Sequence, residues 1–259
     1  MLNKLRKQIV DMVYKSEEGH IAPAFSIVDI IWTLYDHTLN MHPLLVGEPE
    51  RDRFILSKGH GCLALYVVLV EKGFIDQDDL DEFTNRHAVL GGHPDYRKIN
   101  GVEASTGSLG HGAAISVGMA MALKIQKNPA KVYCLIGDGE LNEGSVWEAA
   151  LLAAHHKLGN LYWILDYNHS TDRAVGVSNP KDRFTSFGWK ARIVFGQDSE
   201  DLKWMFPVIG DLAKPSIAIA HTIKGKGVSF MENNPEWHHK VPTEEEYKLI
   251  MEELDEKAV

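Results

Sequence analysis

Apolar positions along the chain follow two rhythms, and their alternation sets the architecture. Short β-branched and apolar runs at residues 54–56 (FIL), 131–136 (KVYCLI), 161–166 (LYWILD), 190–196 (KARIVFG) and 215–223 (PSIAIAHTI) read as strands, and 131–136 fits a buried parallel one. Between them, apolar residues recur at helical spacing. An amphipathic helix is expected over 2–18, with Leu5, Ile9, Met12 and Val13 on one face, and an apolar helix over about 25–37. Further helices are expected from Cys62, near 76–84, behind the glycine turn of 104–112, over 143–156, over 199–213 and at the acidic C-terminus (TEEEYKLIMEELDEKAV). Strands alternating with helices predict an α/β fold, a three-layer, mostly parallel sheet with helices on both faces. With no internal repeat and no low-complexity linker, one domain over 1–259 is expected, with excursions at 37–55, 73–103 and 224–242.

The chain is organised around KVYCLIGDGELNEGSVWEAALLAAHHKLGNLYWILDYN, residues 131–168. A strand stops at Gly137-Asp138-Gly139, a helix follows until Gly159, and a second strand ends just before Asn168. In open α/β sheets ligands bind beyond the carboxyl ends of the strands, where glycine turns admit close backbone approach. An Asp after one strand and an Asn after the next supply hard oxygen ligands to Mg²⁺ or Ca²⁺, which in turn bridges two phosphate oxygens. A lone GDG is also an ordinary turn, and an Asn after a strand an ordinary cap. Neither GxGxxG nor GK[ST] follows the first strand.

Composition narrows the function classes. A net charge of −9 with no basic cluster argues against a nucleic-acid binder. Cys62 and Cys134 each sit inside an apolar run, as buried reduced thiols do. No apolar run is long enough to span a bilayer and no signal-peptide stretch opens the sequence, so a cytoplasmic location is expected. Thirteen histidines are an excess, and three of them stand in glycine-containing loops: His20 in GHIAPA, His60 in LSKGHG and His93 in GGHPD. The glycines of TGSLGHG imply close backbone approach to a cofactor or to another helix.

Taken in order, GHIAPA, LSKGHG, GGHPD, TGSLGHG, GDGELNEG with Asn168, and HTIKGKGVSFMENNPEWHH resemble the motifs of the transketolases, from near residue 16 to about 242. The resemblance is to the diphosphate-binding, N-terminal half of a split transketolase. It implies thiamine diphosphate and Mg²⁺ as cofactors, with Ca²⁺ or Mn²⁺ as substitutes. Asp138, Asn168 and the carbonyl of Ser170 would hold the metal, and Gly139, Asn168, His60 and His238 would face the diphosphate. Gly107, Ser108 and Leu109 would contact the cofactor ring. His20 and His93 would line the substrate side as polar contacts or proton carriers. Glu143 resembles the acidic residue that couples the two cofactor sites across the subunit interface, with Glu148 in the same network.

Three departures accompany the resemblance. His111 stands where the family commonly has Gln and His239 where it commonly has Gly, which leaves His238 and His239 both open for the diphosphate position. The segment HSTDRAVGVSNPKDRF after Asn168 lacks the usual LQxDG-like turn. The sequence also runs to Val259 without the pyrimidine-binding domain of a full transketolase, so a partner chain is expected to supply it in an α2β2 heterotetramer acting on small sugars. The activity implied is transfer of a two-carbon ketol unit from a ketose to an aldose. Three rivals stand beside it: a transketolase-like subunit for a sulfonated, branched or secondary-metabolite sugar, the α-subunit of a 2-oxoacid dehydrogenase, and a non-catalytic cofactor-binding domain.

Overall fold

A computed structural model describes residues 1–209 and 213–256 of the chain. Among them, strands β1 (Arg53–Leu56), β2 (Val132–Gly137), β3 (Leu161–Tyr167), β4 (Lys190–Phe195) and β5 (Ser216–His221) form one sheet in the order β1-β2-β3-β5-β4. Every pairing is parallel; β2, β3 and β5 are buried along nearly their whole length, as inner strands of a parallel sheet are, whereas the edge strand β4 leaves Ile193 and Phe195 exposed. Side chains alternate between two cores: Phe54, Tyr133 and Ile164 enter one, and Ile55, Cys134 and Trp163 the other.

Helices cover both faces. On one lie α1 (Leu2–Ser16), α2 (Ile21–Phe25), α3 (Val28–Thr33) and α4 (Cys62–Glu71), with the five-residue α5 (Gln77–Asp81) at their margin. The other face packs against α6 (His111–Ile125) and α7 (Gly144–His155). After β3 come two short helices that the sequence patterns do not announce, α8 (Asp172–Val175) and α9 (Pro180–Ser186). Pro180 opens α9 at its first turn, where a missing N–H leaves no bond unmade, and Phe184 is buried against Trp147, Trp163 and Trp189. The helix expected over 199–213 is α10 (Ser199–Ile209); positions 210–212 lie outside the described residues. The C-terminal helix is α11 (Glu244–Glu256), with 257–259 likewise outside.

One expected helix is broken. The apolar run of 25–37 is divided between α2, α3 and a wide turn at Leu34–Thr38. Helicity begins earlier, at Ile21, because Pro23 falls in the first turn of α2. The break comes at Ser26, whose hydroxyl bonds the carbonyl of Pro23 at 3.0 Å and the carboxylate of Asp166 at 2.8 Å. Both partners belong to the site at the end of the sheet.

Candidate cofactor and metal site

The C-terminal ends of β1, β2, β3 and β5 open onto one cleft of about 250 Å³. Its walls come from the loops that follow those strands: Lys58 and His60 after β1, Asp138 and Gly139 after β2, Asn168 and Ser170 after β3, Lys224 and His238 beyond β5. Each loop breaks its strand at a polar residue, so carboxylate, amide, ammonium and imidazole groups converge where the sheet ends.

Asp138 carries the one unmet buried hydrogen-bonding demand among the cleft's described side chains. Its Oδ1 accepts the Gly139 N–H at 2.8 Å, but its Oδ2 is buried with no hydrogen-bond partner. Burial, followed by repulsion from Asp166, pushes its carboxyl above the usual range, while Lys58 and the N–H groups of Thr171 and Gly139 pull it back. A cation beside Oδ2 would satisfy the orphaned oxygen and reverse that shift. No three His, Cys, Asp or Glu side chains cluster as metal ligands among the described residues. A metal here would therefore be held by oxygens of mixed type, an Asp carboxylate, the Asn168 amide and a loop carbonyl, a set that suits Mg²⁺ or Ca²⁺ rather than zinc. Asn168 Oδ1 accepts the Ser170 N–H at 3.0 Å and the Ser170 hydroxyl, which brings that loop to the same wall.

Beneath the cleft lies a fully buried ion pair. Lys58 Nζ stands 2.6 Å from Asp166 Oδ2, and that oxygen also accepts from Ser26 and, at 2.7 Å, from the Asn168 amide. The other carboxylate oxygen accepts from the Thr222 hydroxyl. A second buried carboxylate, Glu140, braces the rim: Oε1 accepts from the Ser57 hydroxyl and, at 2.9 Å, from the Gly110 N–H, and Oε2 from the Gly137 N–H at 2.8 Å. Glu140 thereby ties the end of β1, the turn before α6 and the GDG turn into one frame.

Imidazoles form the outer wall. The His20 ring lies 5.5 Å from that of His60, 5.6 Å from His238 and 4.5 Å from His239, on which it stacks. Burial, reinforced by neighbouring cations and imidazoles, lowers His20 and His238 to about 4 and His60 to about 2. All three are neutral at pH 7 and available for hydrogen bonding without carrying charge. Lys224, lowered to about 8 by burial and by Lys58, points its ammonium at His238 Nδ1, 2.6 Å away. The His93 ring rests against Gly59 and Gly107: a Cβ at either position would stand 2.9 or 3.1 Å from its Cδ2.

Most of the residues singled out in the sequence meet here. Asp138, Gly139, Asn168, Ser170, His60, Gly107, Leu109 and His238 line the cleft, and His20 and His93 flank it. Of the adjacent histidines, His238 lines the cleft, whereas His239 stacks on His20 and meets Glu18, 3.0 Å from its Nε2. Ser108 is exposed beside the cleft and does not line it. Glu143 caps α7 with its side chain exposed, outside the cleft. Sequence reasoning missed Lys58, Asp166, Glu140 and Lys224. A signal was present for Asp166, since a carboxylate inside the apolar run LYWILDY needs a buried partner.

Comparison with known proteins agrees with this geometry. Residues 1–256 match the family model described as transketolase, thiamine diphosphate binding domain. One of the subunits of an apulose-4-phosphate transketolase from Phocaeicola vulgatus is 42% identical over 260 residues, covering 98% of this chain and 92% of that one. The 6-deoxy-6-sulfo-D-fructose transketolase subunit SqwG of a Clostridium strain is 36% identical over 262 residues, covering 99% and 95%. Among solved structures, the transketolase of Campylobacter jejuni superposes with a TM-score of 0.88 at 32% identity, and a Pichia stipitis transketolase with 0.90 at 27%. The chain is covered to 98% in both, yet spans only 42% and 40% of those longer proteins. The chain belongs to the transketolase family and matches its thiamine diphosphate-binding domain over nearly its whole length.

Proposed function

We propose that this chain is the cofactor-holding subunit of a thiamine diphosphate and Mg²⁺ dependent transketolase, moving a two-carbon ketol unit from a ketose donor to an aldose acceptor. The observation that carries the reading is the orphaned Asp138 Oδ2 in a cleft that also presents Asn168, Lys58 and Lys224. Asp138, Asn168 and the Ser170 carbonyl would hold the metal, with Gly139, His60 and His238 against the diphosphate. Bound there, the cofactor supplies the electron sink for cleaving and forming the carbon–carbon bond. The chain's own residues bind and orient: the lysines offset phosphate charge, and His20 and His93 on the substrate side take or give protons at sugar hydroxyls.

A partner subunit carrying the pyrimidine-binding domain completes the site, in an α2β2 assembly and in the cytoplasm. Two relatives that this chain covers to 92% and 94% of their length are themselves named as transketolase subunits, which supports a divided enzyme. Relatives are named for apulose 4-phosphate and for a sulfonated fructose, and His239 stacked on His20 adds a ring at the substrate side where the transketolase pattern has glycine. Both observations favour a modified or branched sugar as the second reading. The test is ketol transfer from a panel of ordinary, branched and sulfonated ketose phosphates to an aldose, with this chain alone, its partner alone and the two mixed. Transfer in the mixture only is expected; a mixture that loads cofactor and transfers from no donor contradicts the proposal.

A further inference from the structure

Asp166 is fully buried at the end of β3 and does not itself line the open cleft, yet four segments converge on it. Ser26 closes α2, Lys58 follows β1, Asn168 follows β3 and Thr222 follows β5, and each donates to its carboxylate. An ionised carboxylate only accepts, so it reads the two ends of a side-chain amide differently. The Asn168 Nδ2 donates to Asp166 Oδ2 at 2.7 Å, which leaves Oδ1 toward Ser170 and the cleft wall. A flipped amide would set oxygen against oxygen at the buried carboxylate and turn its N–H groups toward Ser170, where two donors already point.

We propose that Asp166 is a positioning residue for the metal site: it fixes the amide of Asn168 with its oxygen toward the cation, so metal affinity depends on a carboxylate outside the ligand set. The inference rests on the cofactor reading given above. Ser26 and Thr222 keep Asp166 from turning, which links the orientation of Asn168 to α2, the helix that His20 precedes, and to the segment leading to Lys224. Partners of this kind tune metal affinity by roughly 10- to 100-fold in other metal sites.

The test separates acceptor from charge by working in a neutral background. Lys58→Met removes the ammonium, and within it Asp166→Asn retains a carbonyl for the Asn168 amide while Asp166→Leu retains only shape. Titration of magnesium pyrophosphate into the full chain, beside thermal unfolding, reads affinity and stability separately. Lys58→Met/Asp166→Asn should bind within about twofold of Lys58→Met, and Lys58→Met/Asp166→Leu about tenfold more weakly. Equal affinity of the two double variants overturns the proposal, whereas a wild-type chain and partner complex that both ignore the probe would overturn the cofactor reading instead. Should the Leu variant not fold, the wild-type Asn168 side-chain amide carries the test by NMR, assigned by its loss in Asn168→Asp. A downfield, slowly exchanging proton is expected, and an amide that exchanges freely with water contradicts the inference.

Discussion

Lys224 donates to Nδ1 of His238 across 2.6 Å, and this contact assigns the proton on the imidazole. An ammonium has no acceptor, so Nδ1 must be the bare nitrogen and Nε2 the protonated one. His238 therefore presents an N–H donor from its far side, the form suited to a phosphate or sugar oxygen. Lys224→Met removes a charge that contributes to holding His238 at about 4, so the His238 titration followed by imidazole NMR should move up toward 6.5. A midpoint that stays near 4 would show that burial and the remaining neighbours, Lys58 and His239, set it without Lys224.

The histidine wall makes stability fall on mild acidification. His20 and His238 titrate near 4 and His60 near 2 when folded, against 6.5 when unfolded. Between pH 6.5 and about 4 the unfolded chain takes up protons that the folded one refuses, so their contribution to stability is full above 6.5 and shrinks as pH drops. Denaturant midpoints at pH 7.5, 6 and 5 should decrease in that order, and His20→Asn should flatten the trend. A His20→Asn profile parallel to wild type would remove His20 from the set of groups responsible.

Asp138 should behave as a site that trades stability for binding. Its raised carboxyl means that the ionised form is costly in the metal-free fold above its folded pKa, a cost relieved as pH falls through that value. Asp138→Asn replaces an unsatisfied buried charge, so we expect the metal-free chain to gain about 1 kcal/mol in chemical denaturation while losing Mg²⁺ binding. For wild type, Mg²⁺ affinity should rise with pH across the Asp138 titration, with proton release. Loss of stability together with unchanged binding would contradict both halves.

His93 is held from two sides, and each can be disturbed separately. Tyr66 donates to the Gly91 carbonyl at 2.8 Å and the Cys62 thiol to that of Gly92 at 3.2 Å, fixing the loop that carries it. Tyr66→Phe should cost about 1 kcal/mol with little change in cofactor binding. Gly107→Ala places a methyl 3.1 Å from the ring and should raise KM for the donor more than it lowers Tm. Unchanged donor kinetics in Gly107→Ala would show that His93 has room to yield without consequence.

Where a residue's environment is local, the sequence announced it. The strand, GDG turn, helix and strand from Lys131 to Asn168 were legible because each signal lies within one element: an apolar run, a glycine, a 3.6-residue period. The frame below the cleft was not, because Lys58 meets Asp166 across 108 residues and Ser57 meets Glu140 across 83. A lysine in a glycine-rich turn reads as solvated until the strand order sets a carboxylate beside it. His238 and His239 were indistinguishable as adjacent imidazoles, and only the positions of Lys224 and Glu18 separate them. The bond that Ser26 makes where the helix breaks was hidden for the same reason, since its partner Asp166 lies 140 residues away.

The proposed divided site, with this cleft as its diphosphate half, makes a direct prediction about binding. Isothermal titration of thiamine diphosphate with Mg²⁺ into the chain alone, and into the chain mixed with the proposed pyrimidine-domain partner, tests it with Asp138→Ala as the control. Tight binding in the mixture, weak binding to the chain alone and none with Asp138→Ala is the predicted result. A folded complex that binds no cofactor, or one whose binding survives Asp138→Ala, would contradict it.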